Sequence, residues 1–360
     1  MKTPSDPLIT SPITRTLMIW FEQNRRAMPW RGDTDPYRIW ISEIMLQQTQ
    51  VRTVEAYYLR WMERFPTVEA FAAAPLDDAL KLWEGLGYYS RVRNAHRGAR
   101  MIIERFSGRF PQTPEGLLAI PGIGEYISAA VASIAFGQPA GVVDGNVIRV
   151  MSRLFGLDDL ATRPAFRRRI RGIVESGFHD HHPGWVNQAW MEFGALQCIP
   201  RPSCPPCPFR YLCVAHALDR VDRFPRKPPR IQVPIRHGAI LIVRDTDRIL
   251  MVRRRASGLL GGLWELPNVM LDEETLEEFL ARTGLRITRP DIHSVRHAYS
   301  HFKVLFDLHE ATSGDVLRLD DWETHVWADR MKLREIAIAK VHIDALKKLE
   351  ILPEQHRGSG

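Results

Sequence analysis

The stretch LLAIPGIGEYISAAVASIAFG, residues 117–137, decides the fold. Apolar residues run up to Pro121 and resume after Gly124, so two helical segments flank a short Pro121-Gly122-Ile123-Gly124 turn. Glycine permits a turn too tight for residues with a Cβ. It also leaves backbone N–H groups bare at the start of the second helix. Those donors, with the helix dipole, suit a DNA phosphate without reading base sequence. Ser128, Ala129, Ala130 and Ala132 are small enough to let helices pack closely. We read residues 113–136 as a helix-hairpin-helix with Gly122 and Gly124 as DNA-binding positions, although an isolated Gly-x-Gly is equally an ordinary turn.

Working outward, apolar residues recur at three- and four-residue spacing over residues 8–220, the signature of an all-α domain. Thr113-Pro114-Glu115 and Asp35-Pro36 read as helix caps followed by proline at the first helical position. VDRFPRKPPRIQVP, residues 221–234, holds four prolines and reads as a semi-extended linker. Beyond it HGAILIVRD, RILMVRRR and KVLFDLHEA read as strands, and LDEETLEEFLARTG as a helix ending at Gly284. The expected class is multidomain: all-α helix-hairpin-helix, then an α+β domain over residues 235–350.

Residues 1–226 hold 28 Lys+Arg against 22 Asp+Glu, so an excess of 6 out of the net +7 lies in the helical part. That asymmetry suits a polyanionic partner, since basic side chains release counterions from phosphates, but it does not prove one. No apolar run is long enough to span a bilayer, and the first residues lack the apolar core of a signal peptide. The expected location is cytoplasmic and nucleoid-associated in a bacterium, or nuclear in a eukaryote, with no membrane contact and a monomeric state.

All four cysteines fall in CIPRPSCPPCPFRYLC: Cys198, Cys204, Cys207 and Cys213, spaced C-x5-C-x2-C-x5-C. Thiolates at such separations can converge on one centre. Structural zinc is the alternative, though zinc sites usually pair two C-x2-C knuckles and only one is present. Arg201 and Arg210 on the same loop are within reach of phosphates.

Two acids carry the chemistry. Glu43 sits in WISEIMLQQT (40–49) among residues of a buried helix, where desolvation raises a carboxyl pKa. An isolated acid there would ordinarily pair with an arginine such as Arg26 or Arg31. Asp144, in GVVDGNVIRVMSRLF, precedes a helix and reads first as an N-cap, where helix N–H groups should keep its pKa low. One protonated and one ionised acid form the pattern for glycosidic bond cleavage: the first protonates the leaving group, the second stabilises or attacks the sugar.

Together, MPWR (28–31), WISEIMLQQT, WEGLGYYSR (83–91), PGIGEY (121–126), VDGNVIRV (143–150), the cysteines and YSH (299–301) resemble the adenine DNA glycosylase (MutY) family of the endonuclease III-like superfamily. The resemblance covers nearly the whole chain. It implies excision of adenine mispaired with 8-oxoguanine, or with G, from double-stranded DNA after base flipping. It implies Glu43 as the acid protonating adenine N7, Asp144 as the stabiliser of the sugar cation or a covalent intermediate, and Tyr126 and Asn146 as supports of Asp144. Trp30, Arg31 and Gln188 would line the adenine pocket. Gln48, Thr49, Leu86 and Tyr88 would lie on the 8-oxoguanine side, so that one turn of helix serves both halves of the mispair. The cysteines would hold a [4Fe–4S] cluster, although the family's first gap is usually six residues and here it is five.

In related glycosylase/lyases a Schiff-base lysine stands where this chain has Tyr126. Residues 1–226 contain only Lys2 and Lys81, so a monofunctional enzyme is expected. The second domain resembles the Nudix fold through GLLGGLWELP (258–267). Aligned on Gly284, the paired metal-binding glutamates of that fold are replaced by Ala281 and Arg282, which implies recognition without hydrolysis. Tyr299, Ser300 and His301 match the loop that contacts 8-oxoguanine. A pyrimidine glycosylase is disfavoured because Glu43 serves a purine leaving group better. A dead lesion binder is disfavoured because both acids are retained.

Overall fold

The computed structural model describes residues 7–353 except 227, 229–231 and 315, and part of the proline-rich linker therefore lies outside the described residues. The chain divides into two compact units, one of residues 1–73 and 94–230, the other of residues 74–93 and 231–360.

The first unit is helical. Its helices are α1 (Pro7–Asn24), α2 (Pro36–Leu46), α3 (Val51–Arg64) and α4 (Val68–Ala73), then, after α5 (Leu76–Leu82) of the second unit, α6 (Ser90–Phe106), whose first residues belong to the second unit. There follow α7 (Pro114–Leu118), α8 (Glu125–Phe136), α9 (Gly145–Phe155), α10 (Pro164–Glu175), α11 (Pro183–Leu196) and α12 (Val214–Ala217). The caps read from sequence are present. Asp35 accepts from the Tyr37 N–H at the start of α2, and Thr113 from the Gly116 N–H at the start of α7. Apolar faces of α1, α9, α10 and α11 meet in one core that includes Leu17, Phe21, Val147, Met151, Ile170 and Phe193.

The hairpin is α7, the turn and α8. Gly122 has φ +87°, and a Cβ there would lie 3.1 Å from the Ala95 N, so both conformation and space call for glycine. Gly124 caps α8 with no side-chain hydrogen bond, and space around it is open.

The second unit holds a mixed sheet of β1 (Ile235–Asp245), β2 (Arg248–Arg253), β3 (Trp264–Glu265), β4 (Asn268–Met270), β5 (Leu285–Ala298), β6 (Lys303–Ser313) and β7 (Thr324–Ala328). Strand order is β3-β2-β1-β6-β5; β4 pairs with β1, and β7 with β2. β1 and β6 run parallel. Strand side chains alternate between faces: Ala239, Leu241 and Val243 join Phe279 of α13 (Leu276–Thr283) in one core, while Ile240 and Ile242 join Leu346 of α15 (Lys340–Lys348) in another. Between β7 and α15 lies α14 (Arg330–Glu335). With both faces covered, residues 238–243 are buried without a break, which is why β1 reads as a continuous apolar run. α13 begins with a Thr275–Glu278 capping box and ends at Gly284, φ +75°.

The segment 74–93 is tied into this unit. Lys81 donates to the Ile336 carbonyl at 3.0 Å, the Ile338 N–H donates to Glu84 at 2.8 Å, and Arg253 pairs with Asp77 at 2.6 Å.

Candidate active site

A cavity of about 250 Å³ in the helical unit gathers Glu43, Tyr126, Asp144, Asn146, Trp30, Arg31, Gln188 and Thr49. Residues far apart in sequence meet there because α2, α8, α9 and α11 each present one face to it. Glu43, on α2, is 5% exposed. Burial pushes its carboxyl up to about 7; a hydrogen bond from Tyr126 works the other way, and the nearby Asp144 adds to the rise. Near neutral pH the group is therefore poised to give up or take a proton.

The resemblance implies Tyr126 as a support of Asp144. Its hydroxyl donates to Glu43 Oε2 and lies 3.5 Å from Met191 Sδ, while the phenol lines the same cavity as Asp144 and is within reach of its charge. Tyr126 is the second residue of α8, directly after the hairpin, so the hairpin turn and the acid's partner share one helix N-terminus. Burial, with the charges of Glu43 and Asp144, drives the phenol well above its ordinary range, so it remains a donor.

Asp144 is the N-cap of α9, as its position suggested. Oδ1 accepts from the Val147 N–H at 2.7 Å and Oδ2 from the Asn146 amide at 2.9 Å. The expectation of a low pKa is overturned. Burial outweighs those hydrogen bonds and raises the carboxyl above its ordinary value. Sequence revealed the cap but not the depth at which it is buried. Asn146 in turn accepts from Arg149 at 2.8 Å, and Arg149 also donates to the Gly194 and Cys198 carbonyls, linking this end of α9 to α11 and the start of the cysteine loop.

Neither Arg26 nor Arg31 pairs with Glu43. Both bind Glu192, which lines the same cavity and was not singled out in sequence. Arg26 donates through its backbone N–H, Nε and Nη2, and Arg31 through Nη2 at 3.1 Å. Burial raises the Glu192 carboxyl, but the arginine hydrogen bonds and charges together outweigh it, and the group sits below the usual range. Glu192 falls one helical turn after Gln188, and that i,i+4 spacing was the available signal. Gln188 accepts from Arg31 at 2.6 Å, and the Trp30 ring packs edge-on against Tyr58 at 5.2 Å.

α2 stops at Leu46. Gln47 is its C-cap, Gln48 turns to φ +63° and is exposed, and Thr49 faces the Glu43 cavity. The expectation that these polar residues belong to a turn of that helix is therefore corrected: they follow its end, with Gln48 exposed and Thr49 on the cavity wall.

Leu86, Tyr88, Tyr299, Ser300 and His301 all belong to the second unit. Leu86 is buried, whereas Tyr88 is half exposed in a left-handed conformation. Tyr88 and Ser300 share a 2.9 Å hydroxyl–hydroxyl hydrogen bond. Ser300 and His301 are exposed at the turn between β5 and β6. Tyr299, the first residue of the loop expected to contact the lesion, packs on His297 and Phe302 at 4.6 and 4.8 Å. Arg282, expected from sequence to replace a Nudix metal ligand, makes ion pairs with Glu274 and Asp321.

The four cysteines are unbridged and half-buried. Cys207 N–H donates to the Cys204 carbonyl at 3.0 Å, and Arg153 approaches Cys198 Sγ at 3.5 Å while holding the Ile199 and Pro200 carbonyls. Burial pushes the Cys207 thiol up to about 11, and the other three sulfurs add to the rise, so all four lie within electrostatic reach. Among the described residues no three His, Cys, Asp or Glu side chains are drawn in closely enough for one metal ion. Arg210, a candidate phosphate contact, folds over the Tyr211 ring at 4.2 Å. No helix among the described residues is long and apolar enough to cross a membrane.

Residues 41–176 match the model of the HhH-GPD superfamily base excision DNA repair proteins, and residues 238–348 match that of the NUDIX domain. A solved thermostable thymine-DNA glycosylase is 30% identical, with TM-score 0.52, over 57% of this chain and 96% of its own. An endonuclease III–DNA complex shares the fold at 23% identity and TM-score 0.50, over 61% of this chain and 99% of its own. The helical unit with its hairpin and buried acid pair thus defines a base excision repair DNA glycosylase. An adenine DNA glycosylase of Rattus norvegicus is 34% identical over 99% of this chain and 82% of its own length. The chain belongs to the adenine DNA glycosylase family.

Proposed function

We propose that this glycosylase excises adenine opposite 8-oxoguanine, or opposite G, from duplex DNA by hydrolysis alone. The observation that carries the reading is Glu43: a buried acid, raised to about 7, in one cavity with Asp144. A purine leaves as a neutral base once its ring is protonated. Glu43 would give that proton to N7 of the flipped adenine. As the glycosidic bond breaks, Asp144 would stabilise the positive sugar or bond to it. Water then adds at the sugar carbon, Glu43 takes up its proton, and the products are free adenine and an abasic site. Gln188, and the Arg31 and Glu192 side chains, offer fixed polar groups to the base edge, with Trp30 as an apolar wall. Tyr126 supplies no amine, which supports a glycosylase without lyase activity. Gly122 and Gly124 would present backbone N–H groups to a phosphate, and Tyr88, Ser300 and their neighbours would read the opposite base. With Arg282 in ion pairs at the metal-ligand position, no Nudix hydrolysis is expected.

The cysteine donor set fits a [4Fe–4S] cluster held by Cys198, Cys204, Cys207 and Cys213. All four are unbridged and half-buried on one short loop, and a cationic iron–sulfur core would favour the thiolate form of each. Iron and sulfide assays on purified protein should find a stoichiometric cluster; one tightly bound zinc without iron would refute it. The family reading is tested with duplexes carrying A opposite 8-oxoguanine, A opposite G and T opposite G, each followed by alkaline cleavage. The first two should be cut and the third not, and Glu43→Gln should bind without cutting. Cutting confined to T opposite G would overturn the substrate assignment.

A further inference from the structure

Asp144 follows a buried stretch, Ala140–Val143, that belongs to no helix or strand. Buried irregular backbone must find its hydrogen bonds outside a regular ladder. Here side chains supply them. The Val142 N–H donates to Asn187 Oδ1 at 3.0 Å, and Asn187 Nδ2 donates to the Ala140 carbonyl at 2.8 Å. The Gly141 N–H donates to Glu175 at 2.9 Å, and Arg167 donates to the Val143 carbonyl at 2.8 Å. Glu175 and Arg167 are partly exposed and make one such bond each, whereas Asn187 is fully buried. Asn187 Nδ2 also donates to Ser133 Oγ at 2.9 Å, on the helix that carries Tyr126.

We propose that Asn187 is a positioning residue that sets where Asp144 stands relative to Glu43. The inference rests on the role proposed above for Asp144. Only an amide offers one acceptor and two donors at this point. They join the stretch leading into Asp144 to α8, and α8 carries the tyrosine that bonds Glu43. On the other side, Asn187 is the neighbour of Gln188, which lines the cavity. Base wall, sugar-side acid and base-side acid are thereby referred to a single buried amide.

Single-turnover excision on a duplex with A opposite 8-oxoguanine tests this, with rates expressed per folded molecule. Asn187→Leu removes all three bonds at similar volume. It should slow excision about a hundred-fold, the scale of a misplacement near 1 Å, while DNA affinity is unchanged. Asn187→Asp keeps the acceptor. Its deficit relative to the wild type should shrink as pH falls, because the protonated acid again donates to the Ala140 carbonyl; the Asn187→Leu deficit should not vary with pH. Tyr37→Phe, which removes buried hydrogen bonds to Phe65 and Trp61, is the control for instability alone and should keep the wild-type rate. Wild-type rates in both Asn187 variants would overturn the proposal. So would a deficit that only follows the unfolded fraction. If Asn187→Leu does not fold, the pH response of Asn187→Asp decides. Asp144→Asn separates the two ideas. If it keeps full rate, the reading of Asp144 fails; if it is inactive while the Asn187 variants are not, only the positioning role fails.

Discussion

Glu43 is held in a state that costs stability. Its carboxyl ionises near pH 4.5 in a water-exposed chain and near 7 when folded. A raised folded pKa means the folded state binds the proton more tightly. Stability associated with Glu43 is therefore full below 4.5, falls as pH rises through 7, and is lost above it. The span corresponds to about 3 kcal/mol. Glu43→Gln removes that penalty and can still accept from Tyr126. Thermal unfolding at pH 8 should occur at higher temperature in Glu43→Gln than in wild type, with the difference vanishing near pH 4.5. Equal midpoints at pH 8 would show that the carboxyl is not desolvated as described. Wild-type excision should decline above pH 7 as the acid form is depleted. Glu43 was legible in sequence because an acid within an apolar helix is a conflict that burial alone does not resolve. Glu192 was not, because its value lies in Arg26 and Arg31, more than 160 residues away in the chain. The raised Asp144 pKa was illegible for a related reason: capping is local, but desolvation comes from everything packed around it.

Among the elements, α11 organises the site. One face sends Gln188 and Glu192 into the cavity, Asn187 braces the approach to Asp144, and Gly194 admits α9. A Cβ at Gly194 would lie 2.6 Å from Asn146 Cβ and 3.1 Å from its backbone. Gly194→Ala must therefore push α9 away at the residue that hydrogen-bonds Asp144. The expected outcome is a stability loss of about 1–3 kcal/mol, the scale of overpacking, together with slower excision at saturating DNA. Denaturant unfolding and single-turnover rates measure the two effects, and an unimpaired rate would mean that α9 can move without disturbing Asp144. Helix starts were readable because their chemistry is local: Asp35, Thr113 and Asp144 each accept from a backbone N–H two or three residues ahead. The end of α2 was not, since residues 47–49 carry no glycine or proline to mark it.

At the scale of the molecule, acid chemistry belongs to one unit, and the residues proposed to read the opposite base belong to the other. The change of pattern near residue 235 was plain in sequence, because a sheet covered on both faces writes long apolar runs. The allegiance of residues 74–93 was not, because it rests on contacts such as Lys81 to Ile336, made 255 positions apart. That allegiance brings Tyr88 to Ser300. A serine hydroxyl can donate once and accept from others, so Ser300 can keep Tyr88 while bonding the N7–H and O8 edge that distinguishes 8-oxoguanine from guanine. If so, its loss should matter only for the oxidised base. Ser300→Ala should lower the preference for A opposite 8-oxoguanine over A opposite G by about five-fold, the worth of roughly one hydrogen bond. The rate opposite G should stay as it was. Tyr88→Phe separates the partners: it keeps the ring but loses the bond to Ser300. A preference reduced in Ser300→Ala but retained in Tyr88→Phe assigns the reading to Ser300 itself. Equal reduction in both assigns it to the pair, and an unchanged preference in both removes this turn from lesion recognition.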